Sequence, residues 1–449
     1  MTSDTIAALS TPNGESAIAA IRLSGGMCLE TAKSCFGKSE ISPRFASHSS
    51  YVSKDGKILD DVVFTFFKAP NSYTGEDMLE ICTHGNPYIV QTVLEDLFAR
   101  GVRAATHGEF TRRAFENRKL DLSQAEAVAL MIAARSEKSL EAARKQLGGE
   151  LSKRVNSMCD TLIEALAYME AYIDFSDEDL PKESFSKPKE LLEKFVCDAS
   201  RLVSTSRYGA VLRDGLNVSI IGEPNAGKSS LMNCILGRNR AIVSPSAGTT
   251  RDFIVERFSI GGYCVNLADT AGLRTSGDEI ETEGIRRALE VAKDSDLKLL
   301  VLDVSENFGG VFEIAKSFIS PSNTIVVLNK IDKPRAQNAG IFKDFVSVEV
   351  SCLEDRGIEN LKEKILEFIT KNSITSSFDD ILVSARHSGL VADSLENAKS
   401  AVEKIDSSAP SELVASDIRA ALDSLGEIVG RGDREEVLSK IFSTFCIGK

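Results

Sequence analysis

Gly222-Glu-Pro-Asn-Ala-Gly-Lys-Ser-Ser230 is the stretch that decides the fold of this 449-residue chain. It follows the apolar run Asn217-Val-Ser-Ile-Ile221 and precedes the helical run Leu231-Met-Asn-Cys-Ile-Leu236. Strand, glycine-rich turn and helix in that order form the context a P-loop requires. Successive backbone N–H groups of such a turn converge on a β-phosphate, and the positive end of the helix adds to their pull. Asn225, Ala226, Gly227, Lys228, Ser229 and Ser230 are therefore candidate nucleotide contacts. Lys228 reaches for the β- and γ-phosphates, and Ser229 offers its hydroxyl to Mg²⁺.

The base is read further along. Asn329-Lys330-Ile-Asp332 follows the apolar run Thr324-Ile-Val-Val-Leu328, where a parallel sheet presents ligand contacts at its carboxyl edge. Asp332 has two acceptor oxygens that match the N1–H and N2–H₂ of guanine, so GTP is expected over ATP. Ser351-Cys352-Leu353, after the strand-like run 346–350, stands where a last guanine-contacting loop belongs. Between these lie the elements of a γ-phosphate switch. Thr250, in Gly248-Thr-Thr-Arg-Asp252, is placed to ligate Mg²⁺, and Asp269-Thr270-Ala271-Gly272 ends a strand. The next residue is Leu273, an apolar side chain where many small GTPases carry a water-orienting glutamine. Glu281 can take over that task, or it can stabilise the N-terminus of a helix starting near Glu279. The Asn225 amide can help hold a monovalent cation beside the phosphates.

Composition narrows the class. With 43% apolar residues the chain can fill roughly three ordinary cores, and no apolar run approaches the ~18 residues of a membrane span. The start MTSDTIAALS has no basic segment ahead of an apolar one, so a cytoplasmic location is expected. Nine cysteines without C-x-x-C pairs read as reduced thiols. A net charge of −13 disfavours wholesale polyanion binding, so any RNA contact must be local. Arg112-Arg113, Arg118-Lys119, Arg144-Lys145 and Lys153-Arg154 are candidates, with solvated helix faces as the plainer reading of each.

The expected organisation is multidomain, α/β plus α. Residues 1–118 read as an α+β domain, with strands in 17–23, 62–67 and 78–82 and a helix over 88–100. Residues 119–212 open a helical domain, with Ser123 and Glu126 as a capping box and Leu140, Leu147, Leu151, Val155, Leu162, Leu166, Met169 and Ile173 as one stripe on a long helix. A Ras-like G domain over 213–372 then interrupts it, and 373–449 complete it with apolar positions Leu413, Ile418, Leu422, Leu425 and Ile428.

With these motifs in place, the chain resembles the tRNA-modification GTPase family MnmE (TrmE) over nearly its whole length. Asp4-Thr-Ile-Ala7, Arg22-Leu-Ser-Gly25, Ser72-Tyr-Thr-Gly-Glu-Asp77, Gly108-Glu-Phe-Thr-Arg-Arg-Ala-Phe115, Lys119-Leu-Asp-Leu-Ser-Gln-Ala-Glu126 and the terminal Cys446-Ile-Gly-Lys449 carry the resemblance. It implies a homodimer that binds a one-carbon tetrahydrofolate, in formyl or methylene form, in its amino-terminal domain. With the FAD protein MnmG, in a heterotetramer or larger complex, such a dimer adds a carboxymethylaminomethyl group to the wobble uridine of certain tRNAs, driven by K⁺-dependent GTP hydrolysis. The matching folate positions are Arg22, Glu80, Lys119 and Lys449, and the potassium positions are Asn225, Ser244, Ser246 and Thr249, with Ser244 and Thr249 also on the nucleotide. Glu281 matches the water-positioning glutamate and Cys446 the cysteine needed for modification. Ser244-Pro-Ser-Ala247, His107 and Asn86 depart from the family pattern. The alternative is a ribosome-assembly GTPase switch without modification chemistry, and a folate enzyme with a vestigial switch is a second rival.

Overall fold

Ala19, Ile21 and Leu23 are buried on one face of a strand whose intervening residues Ile18, Ala20 and Arg22 are more exposed, and such an apolar face must be covered. In the computed structural model the described residues are 4–174, 185–237, 255–269, 290–306, 316–336, 342–371, 384–432 and 435–448. Two compact units divide the chain: Met1–Ile132 with Gln146–Val196 and Asp393–Lys449, and Ala133–Lys145 with Cys197–Ala392.

The first unit begins with β1 (Ile6–Leu9), β2 (Ser16–Ser24), α1 (Cys28–Phe36), β3 (Ser47–Val52), β4 (Ile58–Phe67) and β5 (Met78–Gly85). It continues through α2 (Pro87–Ala99), β6 (Arg103–Ala104), α3 (Glu109–Glu116) and α4 (Leu122–Ala133). The sheet runs β3-β4-β5-β2-β1-β6, antiparallel except for the parallel β1–β6 pair. Helices α1 and α2 cover one face, with Cys28, Ala32, Phe36, Val93 and Leu97 packed on Ile21, Leu23, Phe64 and Ile81. On the other face Phe110 of α3 joins Ile6, Ala8 and Met78 in a smaller cluster. Asn86, one of the departures from the family pattern, caps α2 by accepting from Tyr88 N at 2.9 Å, with Pro87 at the first helical position.

α5 (Glu137–Leu147) is followed by α6 (Glu150–Asp174). The expected single stripe from Leu140 to Ile173 therefore lies on two helices. Gly149 takes φ +82° between them, a left-handed conformation that ends a helix at little cost only for glycine. The expected capping box at Ser123 is also displaced. Helix α4 already begins at Leu122, Asp121 Oδ1 accepts from Gln124 N at 2.9 Å, and Gln124 Oε1 accepts from Asp121 N at 3.0 Å. The reciprocal cap is thus Asp121 with Gln124, and Ser123 is fully buried.

Next come α7 (Ser186–Ser204), α8 (Ser206–Asp214), β7 (Leu216–Gly222), α9 (Lys228–Leu236), β8 (Val255–Ile260), β9 (Tyr263–Asp269), β10 (Leu297–Asp303), β11 (Thr324–Asn329), β12 (Val346–Glu349) and α10 (Ile358–Lys371). Their sheet runs β12-β11-β10-β7-β9-β8, with all neighbours parallel except the β8–β9 hairpin. Every residue of β10 is buried, as a central parallel strand covered on both faces requires. This is the Ras-like α/β arrangement, with the phosphate loop at the carboxyl end of β7.

The chain closes with α11 (Ala385–Asp406), α12 (Ser411–Gly426) and α13 (Glu435–Ser443). Helix α12 packs against α6 through Val414, Ala415, Ile418, Ala421 and Leu425 facing Leu151, Val155, Leu162 and Met169. Of the apolar positions expected in this section, Leu413 is 50% exposed, because Val414 and Ala415 occupy the inward turn instead.

Candidate functional site

The phosphate loop is shaped by two left-handed residues. Asn225 has φ +65° and Gly227 has φ +95° at the N-cap of α9. A Cβ at Gly227 would stand 2.2 Å from Asn329 Nδ2, so a side chain is excluded by space as well as by backbone angle. The Lys228 ammonium donates to the Gly222 and Glu223 carbonyls at 2.8 and 2.7 Å. Ser229 and Ser230, the second and third residues of α9, are exposed, and Ala226 is buried.

The residues expected to read the base meet this loop directly. Asn329, buried at the end of β11, donates from Nδ2 to the Ala226 carbonyl at 2.8 Å, while its Oδ1 has no hydrogen-bond partner among the described residues. Lys330, at φ +64°, donates to the Asn225 carbonyl at 2.7 Å and to Asp303 Oδ2 at 2.6 Å. Asp332 is exposed and accepts from the Ser351 hydroxyl at 2.6 Å, a bond that holds its carboxyl below the usual carboxylate range. Ser351 is fixed in turn by backbone bonds with Arg356 and by donation from Glu354 N to its hydroxyl oxygen at 3.2 Å. Cys352 is half-buried, and burial pushes its thiol up to about 12, helped by the neighbouring Cys234. Leu353 is 85% exposed, which leaves its backbone as the part that could face a ligand.

The parallel β7–β9 register sets Asp269 opposite Ile220, two residues before the loop begins at Gly222. Ser244, Ser246, Thr249, Thr250, Thr270, Ala271, Gly272 and Glu281 lie outside the described residues, as does Lys449. Asp303 and Ser305 join this cluster through Lys330, although neither falls within a motif of the sequence. An acid closing the strand beside the P-loop strand was the signal.

In the first unit, Arg22 and Glu80 are directly paired across β2 and β5, with Nη2–Oε1 at 2.8 Å and Nε–Oε1 at 3.0 Å. The guanidinium carbon of Arg22 lies 5.7 Å from the Tyr73 ring centroid. Lys119 Nζ donates to the Pro70 carbonyl at 3.1 Å, so Arg22 and Lys119 border the same Pro70–Tyr73 loop. Cys446 is exposed. Its segment is seated by His107 Nδ1 on the Phe445 carbonyl at 2.9 Å and by the Ser10 hydroxyl donating to the Gly448 carbonyl at 3.2 Å. The expected RNA candidates Arg112 and Arg113 are otherwise engaged. Arg112 pairs with Glu116 and Glu435, and Arg113 is buried among Asp4, Glu76 and Glu109, because a buried guanidinium needs carboxylate partners. Arg118 and Lys119 remain exposed.

No described helix is long and apolar enough to cross a membrane. Two family descriptions match: the GTP-binding protein TrmE N-terminus over residues 5–119 and the MnmE helical domain over residues 122–446. A protein of Opitutus terrae named tRNA modification GTPase MnmE is 46% identical over 449 residues, covering 99% of either chain. Its namesake in Aquifex aeolicus is 43% identical over 450 residues, again with 99% of both covered. Among solved structures, the G domain of the T. maritima FeoB iron transporter is 28% identical over 34% of this chain and 98% of its own, with a TM-score of 0.27. Matched from residue 5 to residue 446 by both of its characteristic domains, the chain belongs to the tRNA modification GTPase MnmE family.

Proposed function

We propose that this chain hydrolyses GTP and that the hydrolytic cycle drives tRNA modification in the cytoplasm. Acting as a homodimer with the FAD-dependent MnmG, it adds a carboxymethylaminomethyl group to position 5 of the wobble uridine, taking the one-carbon unit from tetrahydrofolate. The observation that carries the GTP reading is the clamp of Asn329 and Lys330 on the carbonyls of Ala226 and Asn225, beside an ionised Asp332. The tRNA is supported by the names of relatives that match from end to end.

The described residues suit a guanine nucleotide with its Mg²⁺. Asn329 Oδ1 is an open buried acceptor, Asp332 offers two oxygens to a guanine edge, and Ser229 presents a hydroxyl at the start of α9. Ser229 with Thr250 would hold Mg²⁺, and Asn225 with Ser244, Ser246 and Thr249 would hold K⁺. Bound there, these cations offset the charge that builds on the phosphoryl oxygens. Glu281 orients the attacking water, which Leu273 cannot. In the first unit Arg22, Lys119 and Lys449 supply cations for the folate carboxylates, Glu80 accepts from its pterin edge, and Cys446 serves the modification step.

Competition between guanine and xanthine nucleotides tests the base assignment. Asp332→Asn should lose GTP and gain xanthosine triphosphate, whose C2 carbonyl suits an amide donor. Unchanged guanine preference in the variant would overturn it.

A further inference from the structure

We infer that Asp303 is a positioning residue for the guanine nucleotide, fixing the Lys330 ammonium against the Asn225 carbonyl and so joining the base-reading segment to the phosphate loop. The role rests on the reading of 222–230 and 329–332 as the GTP site. Asp303 closes β10, and the parallel register sets it opposite Asn329, one residue before Lys330. It is only 6% exposed, and a buried carboxylate is tolerated only where donors surround it. Its Oδ1 accepts from Ser305 N at 3.0 Å and from the Ser305 hydroxyl at 2.7 Å, and its Oδ2 accepts from Lys330 at 2.6 Å. Burial pushes the carboxyl up, yet Lys330 and Ser305 outweigh it and hold the group below its ordinary range.

The same ammonium bonds the Asn225 carbonyl at 2.7 Å. Lys330 and Asn225 are both non-glycine residues in left-handed conformations, at φ +64° and +65°. Such conformations persist only where the surroundings over-determine them, and here one ammonium restrains both. Its direction is set by the Asp303 charge. With a neutral side chain at 303, the ammonium loses its anionic anchor and turns towards water, and the Asn225 carbonyl is freed before nucleotide arrives. Binding must then order both segments, which weakens affinity.

The test is the dissociation constant of the full chain for fluorescently labelled GDP. Asp303→Asn should raise it about tenfold, a loss of about 1.4 kcal/mol. Asp303→Glu should recover part of the loss, and Lys330→Gln should weaken binding by a similar factor. The double variant Asp303→Asn with Lys330→Gln should bind no worse than the weaker single, because both changes break one link. Ser305→Ala, which keeps the charge, should raise the constant about threefold, and only while Lys330 is present. Wild-type affinity in Asp303→Asn, or penalties that simply add in the double variant, would overturn the role. A wild-type chain that binds no labelled GDP would overturn the GTP-site reading itself, and the role with it.

Discussion

Glu109 accepts from Arg103 at 2.6 Å, from Thr106 N at 2.8 Å and from Arg113 at 3.1 Å. Burial opposes its ionisation, but these donors win and bring its pKa down to about 2. A depressed carboxyl stabilises the fold above its unfolded value near 4.5, and that contribution is lost as pH falls towards 2. The upper bound is about 3 kcal/mol. Circular dichroism should record acid destabilisation of the wild type across that window, and Glu109→Gln should flatten it while lowering stability at neutral pH. A variant with the wild-type acid profile would reassign the effect. At the nucleotide site, Asn225 predicts that GTP turnover is faster in potassium than in sodium, and equal rates would remove the residue from that task. The P-loop and Asn329–Asp332 segments stand out in the sequence as motifs because each is local: a few adjacent side chains and one turn define it. Asp303 does not, since its meaning depends on β10 lying beside β11. The Ser123 cap was misplaced because Asp121 offers the same chemistry two residues earlier.

Hairpin β8–β9 turns on Gly261 and Gly262, at φ +55° and +83°. The Gly262 carbonyl accepts from Lys138 N at the start of α5 at 3.1 Å, and a Cβ on Gly261 would meet Leu366 Cδ1 of α10 at 2.8 Å. The turn is therefore held from two sides. Gly262→Val places a β-branched residue at positive φ and should cost about 1–3 kcal/mol in thermal melting, whereas Gly262→Asn, tolerant of left-handed angles, should cost far less. Equal losses would mean that contacts rather than backbone angle govern the turn. Strands followed from apolar runs, as in β2 and β4, whose burial then alternates along the chain. The break between α5 and α6 was missed because apolar spacing continues across Gly148-Gly149 while the backbone does not. Helix α1 and strand β3 were missed for another reason. Their sequences, Cys28–Phe36 and Ser47–Val52, are polar enough to hide the faces they bury.

Across the first unit, residues far apart in sequence meet at the carboxyl-terminal tail. Phe442 and Phe445 pack with Leu122, Ala125 and Leu438, His107 holds the Phe445 carbonyl, and Arg112 pairs with Glu435. Gly448, at φ +92°, passes so close to β1 that a Cβ would stand 2.2 Å from the Leu9 carbonyl. Cys446 is thereby exposed next to the amino-terminal domain, while the aromatic anchors precede it. Removing residues 446–449 leaves those anchors in place, so the shortened chain should fold and hydrolyse GTP at the full rate. The tail motif was readable from the sequence alone, but its seat was not, because the contacts span more than 300 positions, as with His107 and Phe445. Mass spectrometry of tRNA nucleosides tests the account most directly, in cells lacking this protein and in the same cells given either the full chain or the shortened one. The predicted result is loss of the carboxymethylaminomethyl group from the wobble uridine, restored by the full chain alone. Unchanged nucleosides in cells without the protein would contradict it.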